Sequence, residues 1–517
     1  MEVLVKERKT KQVNTGKTCI SASKCGGCEY SGVPYSEQLA KKEKRVRDLL
    51  SPYCQVRPIV GADEPCYYRN KVHWAFGHLG PHLTAGRYAE GSHRIIENED
   101  CLLEDQECAK ILSDIKELAI KFKMQSYDER TKRGLLRRVL IRKGKATGEV
   151  MVVMVLASPV FPGKKGFIKQ LLEKYPSIRT VLTNINTRTD SMILGDKTIC
   201  EFGKGYIVDE LLGVKFKISP ESFYQINHDQ TEKLYSLAIE AAGLRSGEKI
   251  LDAYCGIGTI GLCAAASVNT VRLTGVELNR TAVADSKENA KVNGMEKVRF
   301  FAADATKYMI EAAARKESYD VVFLDPPRSG TTPEFISACE KLSPKRVVYV
   351  SCDPETLARD LKEFKKKGYD PQYATPVDMF PFTSHVETVV QLSKGDIDNG
   401  SSERSDAVKA GDFGMISGYS KGNKTPETTN VKIDFSLENL DLSELRGKAT
   451  YEQIKDYVRE QTGFRVSTLY ISQVKKKCGL EVGESYNKPK SEDAKQPQCT
   501  PEKEEAIMQA LRHYGVI

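Results

Sequence analysis

One glycine loop constrains the fold of this chain more than any other feature. Leu251-Asp252-Ala253-Tyr254-Cys255-Gly256-Ile257-Gly258 runs from an apolar strand into a tight turn. Gly256, Gly258 and Gly261 keep the Gly-x-Gly-x-x-Gly spacing in which a strand feeds a helix whose N-terminus faces a bound nucleotide. Later apolar runs are also closed by acids. Val271 to Val276 ends in Glu277, nineteen residues after Gly258. Asp304 ends a third strand, and Tyr319 to Leu324 ends in Asp325, at the head of Asp325-Pro326-Pro327-Arg328-Ser329-Gly330. The pattern predicts a doubly wound, Rossmann-like α/β domain with its ligand at the carboxyl ends of the strands. Glu277 suits two ribose hydroxyls, and Asp304 suits an adenine edge. The loop alone admits a nicotinamide cofactor as readily as S-adenosylmethionine. Acids that merely cap strand ends would give the same pattern.

The Asp-Pro-Pro turn and a later thiol favour S-adenosylmethionine. Cys352 follows the apolar run Val348-Tyr349-Val350-Ser351 and precedes Asp353-Pro354. A strand-end thiol downstream of a nucleotide-type loop points to an enzyme that adds a cysteine to its substrate and then alkylates the adduct. Taken alone, Cys352 reads as a core thiol and Glu387 as a surface carboxylate.

Composition bounds the setting. A chain of 517 residues predicts about three or four domains. Hydrophobic residues make up 40%, enough for sizeable cores. No apolar run reaches the roughly eighteen residues of a membrane span, and Met1 to Lys17 has no apolar signal core. Fourteen cysteines in such a chain predict free thiols, metal or catalysis in the cytoplasm rather than disulfides. The net charge of +8 permits an RNA partner without requiring one. Three cysteines crowd into Cys19-x5-Cys25-Gly26-Gly27-Cys28, and Cys54, Cys66, Cys101 and Cys108 are the candidates for a fourth ligand. All-thiolate sites suit iron–sulfur and zinc equally; coincidental, unliganded cysteines are the plain alternative.

Leu136 to Arg142 and Val150 to Leu156 predict a hairpin around Lys143-Gly144-Lys145. Its first arm and approach carry Arg130, Lys132, Arg133, Arg137, Arg138, Arg142, Lys143 and Lys145. Strand geometry would set several on one face, for phosphates or simply for solvent. Lys394 to Asn430 reads as a flexible linker. Beyond it Thr450-x-x-Gln453 is a capping box, with Tyr451, Ile454 and Val458 at helical spacing and Gly463 as a stop. Ser467 predicts a cap for a helix through Lys477 with Leu469 and Val474 inward and Lys475-Lys476-Lys477 at its end. Asn487 to Gln498 reads as loop, and Thr500-Pro501 opens a last helix with Ile507, Met508 and Leu511. Two helices joined by a short turn allow a helix-turn-helix nucleic-acid binder.

In combination, five segments resemble the uridine-5-methyltransferases of ribosomal and transfer RNA. They are Phe223-Tyr224-Gln225-Ile226-Asn227, Tyr254-Cys255-Gly256, Asp325-Pro326-Pro327-Arg328, Ser351-Cys352-Asp353-Pro354 and His385-Val386-Glu387-Thr388. The likeness runs from about Cys19 to Leu392. It implies a class I methyltransferase domain preceded by a β-rich RNA-binding domain. It implies S-adenosylmethionine contacts from Gln225, Tyr254, Glu277, Asp304 and Asp325, with Cys352 as nucleophile and Glu387 as base. The family position after Gly258, often Asn, holds Thr259. It implies a 4Fe–4S cluster on Cys19, Cys25, Cys28 and Cys101, the last from Asn98-Glu99-Asp100-Cys101-Leu102-Leu103. Tyr67-Tyr68-Arg69-Asn70-Lys71 resembles a family segment near the RNA. The small barrel-type RNA-binding module that often opens family members has no counterpart in the eighteen residues before Cys19.

Iron–sulfur members resemble the ribosomal branch, which makes 23S ribosomal RNA the expected substrate. Transfer RNA is the alternative, and an iron–sulfur RNA-binding protein without methyltransferase activity is a second. Amino-group methylation of a base fits less well, because Arg328 follows Pro327. The expected layout is a tail (1–18), an iron–sulfur segment with the start of the central domain (19–108) and the β-rich central domain (109–220). The methyltransferase domain (221–393), the linker (394–430) and a small, mainly α domain (431–517) follow. A cytoplasmic monomer with no obligate protein partner is expected.

Overall fold

The computed structural model describes residues 19–395 except 81, 98–99, 189–191 and 269–270, residues 451–478 except 463 and 465, and residues 499–513. The expected tail, nearly all of the linker, Asn98, Glu99, Thr450 of the capping box, Gly463 and the 487–498 loop lie outside the described residues. The chain divides into two compact units, Met1–Glu403 and Arg404–Ile517.

The first half of the larger unit supplies strands β1 (Gln55–Val56), β2 (Lys71–Leu79), β3 (His82–Tyr88), β4 (Ile95–Ile96) and β5 (Leu136–Lys143). Strands β6 (Val150–Leu156), β7 (Ile178–Ile185), β8 (Lys197–Gly203), β9 (Ile207–Leu211) and β10 (Val214–Ile218) follow. Seven of these form a sheet in the order β4-β3-β2-β5-β6-β7-β8. Only β6 and β7 in it are parallel. β6 reads Val-Met-Val-Val-Met-Val-Leu and is buried throughout, the unbroken run of a strand covered on both faces. The expected hairpin is β5–β6, antiparallel, with Gly148 at φ 71° in its turn. Helix Gln106–Lys121 packs against this sheet through Cys108, Ile111, Leu112 and Ile115. Asp105 caps that helix, its carboxylate accepting from the N–H groups of Glu107 and Cys108.

The second sheet adds β11 (Lys249–Ala253), β12 (Arg272–Glu277), β13 (Val298–Ala302), β14 (Val321–Leu324), β15 (Arg346–Ser351), β16 (Tyr369–Val377) and β17 (Glu387–Lys394). Its order is β1-β16-β17-β15-β14-β11-β12-β13. β11 to β15 run parallel, and β17 is inserted antiparallel between β15 and β16. Alternate strand residues feed two cores, Ile250, Val321 and Val348 on one side, Leu251, Val322 and Tyr349 on the other. That is the period-two pattern of a sheet covered on both faces. The strand order reverses between β11 and β14, the place where such sheets hold their ligand.

Residues 35–60 join this second sheet. Helix Tyr35–Leu50 gives Val46 and Leu50 to its core, and β1 pairs with β16. Leu140, Met151 and Val153 of the first sheet share a core with Ile250 and Val348, so packing is continuous across residue 220.

The smaller unit holds helices Tyr451–Thr462, Thr468–Lys477 and Pro501–His513 around Ile454, Val458, Ile471, Val474, Ile507 and Leu511. Ser467 caps the second, accepting from the Tyr470 N–H at 3.2 Å. Leu469, expected inward, is half-buried; Ile471 takes the core place three residues before Val474. Lys477 is paired with Glu504 at 2.7 Å. Among the described residues, no helix is long and apolar enough to cross a membrane.

Candidate active site

Register brings the strand-end residues together. Ala253 pairs with Val276 on one side and Leu324 on the other, and Leu324 pairs with Tyr349. One residue further stand Tyr254, Glu277 and Asp325, side by side at the carboxyl edge. Ser351 pairs with Thr388 across the antiparallel β15–β17 ladder. Just beyond that pair the chain bends at Cys352, and Glu387 opens β17, near enough for its charge to act on the thiol.

These groups feel one another. Burial and the neighbouring Asp325 carboxylate push Glu387 up to about 8, against the pull of Arg328. Burial pushes Asp325 up to about 7. Burial, Glu387 and Asp325 together push the Cys352 thiol up to about 11, with Arg328 again opposing. Glu387 is buried, Cys352 and Asp325 half-buried and Arg328 exposed. Arg328 has no role of its own in the sequence reading; its place in the Asp-Pro-Pro-Arg turn was the signal for it.

The local sequence explains how the thiol is presented. Ser351 Oγ accepts from the Asp353 N–H at 3.2 Å and donates to its carbonyl at 3.0 Å, closing a turn around Cys352. Asp353 caps helix Pro354–Lys366, accepting from the N–H groups of Glu355 and Thr356, and Pro354 starts that helix. The same helix holds the Asp-Pro-Pro-Arg turn. Thr356 Oγ1 donates to the Arg328 carbonyl at 3.1 Å, and Asp360 accepts from the Thr331 N–H at 2.9 Å.

The cofactor side is equally determined. Glu277 accepts from the N–H of Gly256 at 3.1 Å and of Asn279 at 2.7 Å, which fixes its carboxylate beside the glycine loop. Tyr254 turns the chain at φ 69°, and its hydroxyl lies 3.3 Å from Thr331 Oγ1. A Cβ at Gly256 would meet nothing within 4 Å, so a ligand can reach the loop backbone. Buried Asp252 accepts from the Gly261 N–H at 2.8 Å, and a Cβ at Gly261 would lie 2.7 Å from it. Asp304 caps helix Ala305–Ala314, accepting from the Lys307 N–H at 3.0 Å, so one of its oxygens serves as the cap. Gln225 is buried, and its carbonyl accepts from Asn70 Nδ2 at 3.1 Å. Thr259 Oγ1 lies 2.9 Å from Tyr235 Oη. Open loop backbone beside several acids fits a nucleoside joined to a cationic sulfur.

Cys19, Cys25, Cys28 and Cys101 line one small cavity with Gly27, Arg87, Leu102 and Phe382. Cys66 packs at its margin, Cys108 is buried in the first sheet's core and Cys54 lies against the second sheet's core. Burial and the Cys101 thiol push Cys28 up to about 12. Among the described residues, no group of three or more His, Cys, Asp or Glu is placed to hold a metal ion.

The basic face differs from expectation. Buried Arg137 donates to the carbonyls of Asn186 and Arg188, and buried Arg142 to those of Pro220 and Ser222. Lys143 pairs with Asp105 and Glu107. These three brace the fold, because β5 is covered on both faces. Cations gather instead around a cavity of about 230 Å³ lined by Arg69, Lys71, His73, Arg87, Tyr88 and Arg138.

A tRNA (Uracil-5-)-methyltransferase family matches residues 195–395. An uncharacterized RNA methyltransferase of Halalkalibacterium halodurans is 41% identical over 379 residues, 72% of this chain and 82% of that protein. One of Caldanaerobacter subterraneus is 39% identical over 396 residues, 76% and 87% of the two chains. The solved tRNA (uracil-54, C5)-methyltransferase of Pyrococcus abyssi, in complex with S-adenosyl-L-homocysteine, superposes with a TM-score of 0.60 at 28% identity. That match covers 71% of this chain and 85% of the other. With its glycine loop, its strand-end acids and these relatives, the chain belongs to the RNA uracil-5-methyltransferase family.

Proposed function

We propose that this chain methylates C5 of a uridine in structured RNA, with 23S ribosomal RNA the substrate, through a covalent bond from Cys352 to C6. The observation that carries the reading is that Cys352, Glu387 and Asp325 meet at the strand ends, where both carboxyls act on the thiol and Asp325 acts on Glu387. Bound at the glycine loop by Gln225, Tyr254, Glu277, Asp304 and Asp325, S-adenosylmethionine supplies an electrophilic methyl group. C5 of uracil is too weak a nucleophile to take it unaided. The Cys352 thiolate adds to C6, and the C5–C6 electron pair moves onto C5 and the C4 carbonyl. C5 then forms its bond to the methyl carbon as the carbon–sulfur bond breaks toward sulfur. The ionised form of Glu387 takes the C5 proton, the C5=C6 bond reforms, and the thiolate leaves. Ionised Asp325 steadies a cation beside the thiol, and that cation in turn favours the thiolate.

The four cysteines that share a cavity would hold a 4Fe–4S cluster. A single ion needs its thiolates at about 2.3 Å from one point, whereas a four-iron cluster offers each thiolate its own iron. Arg69, Lys71 and Arg138 offer cations for RNA phosphates. The protein would act as a cytoplasmic monomer.

Transfer RNA is a second reading, favoured by the solved structure it resembles, a tRNA (uracil-54, C5)-methyltransferase. Incubation with radiolabelled S-adenosylmethionine and separate ribosomal and transfer RNA transcripts tests the choice. Label recovered as 5-methyluridine in 23S RNA supports the first reading. Label in tRNA alone overturns the substrate, and label on a base amino group overturns the reaction.

A further inference from the structure

We propose that Phe382 is a positioning residue for Glu387, through which the cysteine-lined cavity sets where that carboxylate stands. The inference rests on the reading of Glu387 as the base. Phe382 lies five residues before Glu387, on the loop between β16 and β17. Its side chain is buried against Cys101 and Leu103, with Cys28, Cys66 and Tyr68 alongside, and it forms part of the cavity wall. Its backbone takes φ 69°, a left-handed conformation that a phenylalanine adopts only when its surroundings impose it.

Those surroundings come from the segment that carries the cysteines. The Phe382 N–H donates to Gln38 Oε1 at 2.8 Å, and its carbonyl accepts from the Tyr30 N–H at 3.1 Å. Tyr68 Oη donates to the Pro381 carbonyl at 3.1 Å. Glu29, next to Cys28, accepts from the N–H and hydroxyl of Ser384, each at 3.3 Å. Lys42 Nζ donates to the Phe380 carbonyl at 3.0 Å. Residues 29–68 thus grip the loop at 380, 381, 382 and 384, immediately before β17 begins at Glu387. Closing or opening the cavity at Cys28 and Cys101 moves the Phe382 ring, and the loop transmits that to the base. Cys352 follows the end of β15, outside this loop, and is spared.

A displaced base has a signature that general loss of structure lacks. Addition of Cys352 and methyl transfer proceed, while proton removal and release of the thiol slow. Phe382→Gly removes the ring and leaves a residue that takes positive φ freely. Gln38→Ala loosens the same loop without touching the cavity. Single-turnover reactions with RNA would follow the covalent RNA–protein band on a denaturing gel. In both variants the band should form at the wild-type rate and decay about 10- to 100-fold slower, less than the ~10²–10⁴-fold of losing a general base outright. S-adenosylmethionine affinity, read by calorimetry, should not change. Decay at the wild-type rate in both variants would overturn the inference, as would formation and decay falling together. Absence of any band from the wild type on 5-fluorouridine RNA would overturn the proposed reaction, and this inference with it.

Discussion

Burial dominates the electrostatics around Cys352 and Glu387, and Asp325 adds to it at both. Its carboxyl, raised to about 7 by burial, is partly protonated at neutral pH. An ionised acid attracts a cationic sulfur and a protonated one does not. S-adenosylmethionine affinity should therefore rise with pH by up to ~10-fold per unit below about 7 and level off above it. S-adenosylhomocysteine, whose sulfur is neutral, should show a flatter curve, and Asp325→Asn should flatten the first. Parallel curves for the two ligands in titration calorimetry would contradict this. Folding stability has the opposite sign. The folded chain keeps the Glu387 proton up to about 8, whereas the unfolded chain releases it near 4.5. The group therefore subtracts stability as pH climbs through that window.

At the scale of elements, the join between helix Tyr35–Leu50 and the β16–β17 loop rests on a buried ion pair. Lys42 Nζ lies 2.5 Å from Asp378 Oδ1 with both side chains fully buried, and Tyr35 Oη donates to Asp378 Oδ2 at 2.8 Å. Lys42→Met leaves a buried carboxylate without its cation and should cost about 3–5 kcal/mol in denaturant unfolding. Adding Asp378→Leu should restore most of that loss; a double variant as unstable as the single would contradict the account. None of this was legible in the sequence, because the partners are 336 residues apart. The glycine loop and strand-end acids were legible because strand, turn and acid are adjacent in the chain. Likewise the Ser-Cys-Asp-Pro turn is built entirely from local hydrogen bonds. The basic strand misled for a related reason: alternation sorts side chains onto two faces, but the cover over Arg137 and Arg142 comes from residues 186–188 and 220–222.

Across the whole molecule, the strand-end site belongs to the unit ending at Glu403. Removing residues 404–517 should leave S-adenosylmethionine affinity unchanged. RNA affinity should weaken, with a shallower salt dependence, if the lysines of helix Thr468–Lys477 meet phosphates. Loss of cofactor binding in a folded, shortened protein would contradict that division. In the proposed reaction Cys352 and Glu387 divide the covalent chemistry between them. Glu387→Gln keeps size and hydrogen bonding but removes the base, so methylated RNA should stay attached. The most direct measurement is mass spectrometry of RNA–peptide conjugates from that variant. The predicted result is a methylated uridine joined through Cys352, and no conjugate at all from Cys352→Ala. A conjugate on another residue, or full methylation by Cys352→Ala, would contradict it.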